Sequence, residues 1–162
     1  MKKIIFIRHG RAEDPSPEIS DFERSLTLKG KAISKLMARK LKEEEEISGV
    51  MITSPAFRAL ETSLIFAGEF GVKAEDIRMV SNIYHKMNFR QLNEILSQVS
   101  DKTDMITIFG HNPSFTELVD SLSKEGCDFM PKCGIICISF KIKSWSEIDQ
   151  NTGKIEYFLK PE

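Results

Sequence analysis

The apolar run Ile4-Ile5-Phe6-Ile7 stops abruptly at Arg8-His9-Gly10. A hydrophobic core has no use for an adjacent guanidinium and imidazole, but an anion does. A second arginine, Arg58, follows shortly after Ser54-Pro55, and a second histidine stands in Gly110-His111. The chain has three histidines in all, and two of them come directly after apolar runs. Two guanidinium forks can offer paired N–H donors to one phosphoryl group. A histidine set among such cations has its pKa lowered by like charge and stays neutral near pH 7. Its free ring lone pair can then attack phosphorus and form a phosphohistidine intermediate. The second histidine can donate to the phosphoryl oxygens as charge develops. Gly10 lets the backbone approach such a ligand closely.

These side chains meet only if the elements between them converge. Ile4–Ile7 reads as a central strand covered on both faces. A polar loop with Pro15 and Pro17 follows, and Thr27 stands at the N-cap of a helix whose apolar positions are Ile33, Leu36, Met37 and Leu41. That helix runs out in Glu43 to Glu46, at the unfavourable end of the macrodipole, which predicts a solvated, fraying terminus. Gly49–Thr53 is a second strand. Ser54-Pro55 reads as N-cap and first helical residue, with Phe57, Leu60, Leu64 and Ile65 as the core stripe. Ile77–Val80 is a third strand, and Phe89, Leu92, Ile95, Leu96 and Val99 mark a third helix. Met105–Phe109 is a fourth strand. Asn112-Pro113 repeats the cap-and-proline start, with Phe115, Leu118, Val119 and Leu122 facing inward. Ile135–Phe140 and Lys154–Leu159, joined through Asp149-Gln150-Asn151-Thr152-Gly153, predict an antiparallel hairpin.

Strand and helix thus alternate four times. The expected fold is α/β, a three-layer sandwich with a mainly parallel central sheet, helices on both faces and an antiparallel C-terminal strand. Ligands of such sheets gather at the carboxyl ends of the strands, where Arg8, His9, Arg58 and His111 all fall.

Composition narrows the classes. At 162 residues, 41% hydrophobic and 29% charged, the chain reads as a single domain, 1–162, able to bury its own core. A net charge of −1 argues against nucleic acid or an acidic membrane surface as partner. No apolar stretch has the length of a membrane helix, and the apolar part of the N-terminus is too short for a secretory signal. Cys127, Cys133 and Cys137 lack a C-x-x-C pair; they read as inert thiols of a reducing, cytoplasmic protein rather than as a disulfide framework or zinc ligands. No glycine-rich P-loop and no spaced carboxylates for Mg²⁺ appear, so neither metal nor cofactor is expected.

The segments IRHGRAE, TSPAFRALETS and IFGHNPS, in that order, resemble the histidine phosphatase superfamily. The short length, the segment DFERSLTLKGKA and the lack of a large cap insertion are similar to its SixA-type phosphohistidine phosphatases. The resemblance runs from Ile4 to about Ser139. It implies His9 as nucleophile, Arg8 and Arg58 as phosphate-binding groups, His111 as the second histidine, and a metal-free mechanism. It also implies, as substrate, a phosphorylated protein such as a histidine phosphotransfer domain, or a small phosphorylated molecule.

One departure bears on the substrate. Larger members of the superfamily carry a catalytic acid after the third strand, where this chain reads SNIYHKMNFRQ, without an acidic residue. An alkoxide leaving group needs protonation; imidazole leaving from phosphohistidine needs much less help. Glu13, Asp14 and His85 remain candidates for an acid. The alternatives are a phosphatase for small phosphomonoesters and a non-catalytic phosphate-recognition module. The structural readings of the same residues are a strand-end ion pair for Arg8 and His9, a pairing of Arg58 with Glu61 or Glu13, a satisfied strand-end role for His111, and a packing role for Tyr84 and Trp145.

Overall fold

The apolar run at the amino end forms β1 (Lys2–Arg8), in which Ile4, Ile5, Phe6 and Ile7 are fully buried. The computed structural model describes residues 1–162 and builds one six-stranded sheet. The other strands are β2 (Val50–Thr53), β3 (Arg78–Met79), β4 (Met105–Gly110), β5 (Ile135–Phe140) and β6 (Lys154–Leu159), in the order β3-β2-β4-β1-β5-β6. The first four strands are parallel; β5 pairs antiparallel with both β1 and β6. The strand that runs against the others is therefore the penultimate one.

Alternation along β1 divides the core. Ile5 and Ile7 pack under α1 (Leu28–Glu44) and α2 (Phe57–Phe70). Ile4 and Phe6 pack under α3 (Asn82–His85), α4 (Phe89–Leu96) and α5 (Ser114–Leu122). A central strand covered on both faces needs no polar side, and the three-layer arrangement follows. No helix is long and apolar enough to cross a membrane.

Several local expectations shift. Thr27 does cap α1, its hydroxyl accepting from Gly30 N at 2.9 Å, but Leu36 is 62% exposed and the buried face is Gly30, Ser34, Met37, Ala38 and Leu41. In α2, Phe57 and Leu64 point outward, and the buried face is Arg58, Ala59, Thr62, Ser63, Phe66 and Ala67. Ala59, Thr62, Ser63 and Ala67 let α2 pack closely, while Phe66 fills the core edge-on to Phe109. The helix begins at Phe57, after Ala56, because Ser54 and Pro55 stay in the strand-end loop. Ser114 likewise opens α5, with Pro113 as its cap residue, while Asn112 Oδ1 accepts from Thr116 N at 3.2 Å. β3 shrinks to two residues at the sheet edge.

The last two strands are not joined by a tight hairpin. The connection carries a 3₁₀ turn, Trp145–Glu147, whose Trp145 plugs the core and donates to the Thr103 carbonyl at 2.9 Å. Within the acidic run, Glu45 is not solvated: Lys3 Nζ lies 3.0 Å from its carboxylate and the Tyr157 hydroxyl donates to it. All three cysteines are buried free thiols. Burial pushes Cys127 and Cys133 up to about 11 and Cys137 to about 12. No group of three His, Cys, Asp or Glu side chains is disposed to hold a metal ion.

One close approach sets the position of α1. A Cβ on Gly30 would lie 2.1 Å from the Arg11 carbonyl oxygen, and one on Gly10 would lie 2.6 Å from Ser34 Oγ. Helix α1 thus rests on the backbone that directly follows His9. Alanine is a better helix former than glycine by about 1 kcal/mol, yet Gly30→Ala is expected to destabilise the protein by about 1–3 kcal/mol through overpacking. Denaturant unfolding measures this; a gain in stability would contradict the close approach.

Candidate active site

The carboxyl ends of β1, β2 and β4 lie side by side because these strands are parallel neighbours. Arg8 pairs in register with Gly110, so the residues that follow, His9 and His111, emerge together. Their ring centroids are 5.2 Å apart, and they are only 7% and 8% exposed. Gly110 makes this possible, since a Cβ there would lie 2.5 Å from the Phe115 ring packed beneath.

His9 is held on one side only. Its Nδ1 lies 2.7 Å from the Gly10 carbonyl oxygen. A carbonyl can only accept, so Nδ1 carries the proton and Nε2 carries the lone pair. Gly10 N in turn donates to Thr62 Oγ1 at 3.1 Å, which ties the turn to α2. Behind the site, Cys133 N donates to both the Arg8 and His9 carbonyls, at 3.1 and 3.0 Å. Cys133 reaches them from the left-handed region, φ 60°, unusual for a residue with a Cβ.

Charge and burial act together on the imidazoles. Burial is the first cause that lowers the His9 pKa to about 3; the Gly10 bond opposes it, and His111, Arg58 and Arg8 lower it further. His111 is lowered to about 4 by burial first and then by Arg58. Like charge alone was expected to do this, but desolvation leads. Both rings are neutral near pH 7.

His111 Nε2 sits 2.8 Å from Ser54 Oγ, which also accepts from Ala56 N at 3.2 Å. With one lone pair taken by Ala56 N, the Ser54 hydroxyl can donate its proton to His111 Nε2, and in that tautomer the ring proton is on Nδ1. His111 Nδ1, Arg8 Nε and Arg58 Nε are buried without any hydrogen-bond partner. Buried polar groups are normally paired. Arg8 Nε and Arg58 Nε are donors, as is His111 Nδ1 in that tautomer, and donors so left over are chemically suited to an oxyanion.

Each arginine is aimed by a bond at its far end. Arg8 Nη1 donates to the Met130 carbonyl at 3.0 Å. Arg58 Nη1 donates to the Asp21 carbonyl at 2.7 Å and Nη2 to Asp21 Oδ2 at 3.1 Å. These end-on contacts leave the Nε side of each guanidinium free. Neither Glu61 nor Glu13 pairs with Arg58. Glu61 Oε1 accepts from Leu26 N, and Glu13 Oε1 from Ser25 N.

The sequence pattern does not single out Asp21, whose signal there is a place in the polar loop after β1 and the first position of the segment DFERSLTLKGKA. It also takes Arg24, at 3.0 Å, and the Tyr84 hydroxyl, at 2.9 Å. Partial burial opposes its ionisation, but Tyr84, Arg58 and Arg24 outweigh this and hold its carboxyl below the usual range. Tyr84 both packs and lines the site, edge-on to Phe22 and 5.7 Å from the His111 ring.

Residues 4–122 match the model of the histidine phosphatase superfamily, branch 1. The chain belongs to the histidine phosphatase superfamily. The fold is similar to that of SixA from Agrobacterium tumefaciens, with a TM-score of 0.80 at 19% identity, covering 99% of this chain and 98% of that one. It is similar also to the protein histidine phosphatase SixA complexed with tungstate, with a TM-score of 0.82 at 19% identity over 98% and 97% of the two chains. A mycobacterial glucosyl-3-phosphoglycerate phosphatase has a TM-score of 0.67 at 12% identity over 96% and 97%. Among curated sequences, an uncharacterized protein of Picosynechococcus is 37% identical over 65 residues, which is 40% of this chain and 39% of that protein.

The three candidates for the superfamily's acid lie outside the group just described. Glu13 and Asp14 are exposed on the loop after β1, and Glu13 is engaged with Ser25. His85 is exposed and tilted against Tyr84 at 5.2 Å, so that Tyr84 stands next to both it and His111.

Two outcomes follow. His9 and His111 have folded pKa values below the ordinary 6.5, so the unfolded chain binds more protons between about pH 4 and pH 6.5. Stability therefore falls as the pH is lowered through that window. His111→Asn should flatten this slope relative to wild type, measured by denaturant unfolding at several pH values. Asp21→Ala should lower kcat/KM about tenfold by freeing Arg58 to swing, whereas Asp21→Asn, which keeps an acceptor, should lose less.

Proposed function

We propose that this protein is a metal-independent phosphatase that works through a phosphohistidine at His9. The observation that carries the reading is the set of unpartnered buried donors, His111 Nδ1, Arg8 Nε and Arg58 Nε, gathered beside a neutral imidazole. A phosphoryl group between the two arginines would satisfy all three. His9 Nε2 attacks phosphorus, forming the N–P bond while the bond to the leaving atom breaks and that atom keeps the electron pair. His111 donates to an equatorial oxygen as the charge redistributes. Water then attacks phosphorus, the N–P bond breaks, and inorganic phosphate leaves with His9 restored. Holding Nδ1 against the Gly10 carbonyl keeps the ring in one tautomer through both steps.

For the substrate, we propose phosphohistidine on a phosphotransfer protein. Three features support it. No carboxylic acid stands ready to protonate an alkoxide, since Asp21 is held ionised. Imidazole departs with little such help. The same ionised Asp21 at the mouth repels substrates that bear further negative charge near the phosphoryl group, such as nucleotides and phosphorylated acids. The fold similarity to SixA structures points the same way. The second reading, a phosphatase of small phosphomonoesters, draws on the fold similarity to the mycobacterial glucosyl-3-phosphoglycerate phosphatase.

The test is a panel of phosphohistidine protein, sugar phosphates and nucleotides, incubated in EDTA. Wild type should turn over phosphohistidine fastest, and His9→Ala should lose at least about a thousandfold in rate. A faster reaction with sugar phosphates would favour the second reading. Undiminished turnover by His9→Ala would remove the nucleophile from the scheme.

A further inference from the structure

One aromatic side chain at the rim is left open to solvent. Phe129 is 58% exposed, and its ring centre lies 5.5 Å from the Arg8 guanidinium carbon. The segment that bears it is fixed on both sides. Cys127 N donates to Asp120 Oδ1 at 2.7 Å and Met130 N to Thr116 Oγ1 at 3.1 Å. The Met130 carbonyl takes Arg8 Nη1 and Asn112 Nδ2, at 3.0 and 2.9 Å. The side chain is thus presented on a pinned backbone, next to a group expected to touch the phosphoryl oxygens. It forms one wall of a recess of about 440 Å³, whose other walls are Asn112, Pro113, Thr116 and Glu117.

The strand order shows what this recess faces. β2 and β3 lie on one side of the β1–β4 pair and β5 on the other. Tyr84, which follows β3, closes the first side against His111; Phe129, which precedes β5, stands on the second. Phe129 stands on the Arg8 side of the phosphoryl position proposed above, with the recess beside it. An exposed phenyl face there gains little from water and much from a flat partner. Glu117 adds an acceptor, suited to the N–H of a ring that becomes cationic on protonation.

We propose that Phe129 is a specificity-determining residue that stacks on a planar leaving group, the imidazole of phosphohistidine, as it departs into the Asn112–Glu117 recess. The proposal rests on the phosphoryl position given above, not on the identity of the physiological partner.

Steady-state kinetics of wild type, Phe129→Ala and Phe129→Trp with phosphoimidazole, phenyl phosphate and ethyl phosphate test it. Phe129→Ala should raise KM about fivefold for the two planar substrates while kcat and the ethyl phosphate constants stay within twofold, and Phe129→Trp should restore the preference. An equal loss on all three substrates would mean that the ring only steadies Arg8, and no change on the planar pair would mean that it touches nothing; either overturns the proposal. If wild type hydrolyses phenyl phosphate but not phosphoimidazole, the phosphohistidine reading fails while the phenyl-to-ethyl comparison still judges Phe129. In the absence of any turnover, calorimetric binding of phenylphosphonate against methylphosphonate decides the same question. The phenyl preference should then fall about fivefold in Phe129→Ala, and an unchanged preference would overturn the proposal.

Discussion

An imidazole held neutral inside a dry, positively charged recess is the constraint on which the rest of this molecule turns. Two opposing demands meet at His9. In the proposed reaction the recess must be cationic to draw a phosphoryl group, yet the ring must not itself become a cation, or its lone pair is lost. Burial resolves the conflict: removing water disfavours both kinds of cation, but it neutralises only the imidazole, because the guanidiniums have an intrinsic pKa so high that they stay protonated. The Gly10 carbonyl then fixes which nitrogen keeps the proton.

Keeping water out sets demands on the surrounding structure. Helix α2 presents Ala59, Thr62 and Ser63 inward, so the layer can close tightly around Arg58 on the same face. Helix α1 lies against the backbone after His9 with no room for a side chain at Gly30. Gly110 admits the Phe115 ring directly beneath the histidines. Each is a place where a small residue is needed so that something large can be buried nearby.

The rim has a different character from the floor. The floor donates hydrogen bonds and carries positive charge; the rim holds Asp21 in a web of Arg58, Arg24 and Tyr84, with Phe22 packed against Tyr84 and Phe129 across the opening. One carboxylate thereby aims one arginine, restrains another and lowers the net charge at the mouth. In the proposed function, strong attraction at the base and a single negative group at the lip would favour a lone phosphoryl group over a polyanion.

The sheet was legible in the sequence because a doubly covered strand leaves an unmistakable apolar run, and Ile4–Ile7 and Met105–Phe109 are such runs. The order of strand and helix then sent Arg8, His9, Arg58 and His111 to one edge, since parallel strands share a carboxyl end. Helix faces were less legible. In α2 the apolar Phe57 and Leu64 point outward while Phe66 is fully buried beside Ala59, Thr62 and Ser63, because the rotation of the helix about its axis is set by how it packs on its neighbours and not by residue type alone. Asp21 was hidden for a plainer reason: an acidic residue in a polar loop has no period, and apart from Arg24 its partners lie 37 and 63 residues away. The primary structure determined which groups could do chemistry and which strand ends would carry them. Only the tertiary structure decided how dry the recess is, which nitrogen of His9 is free and which carboxylate aims Arg58, because desolvation and hydrogen-bond geometry belong to the packed assembly and not to any segment of it.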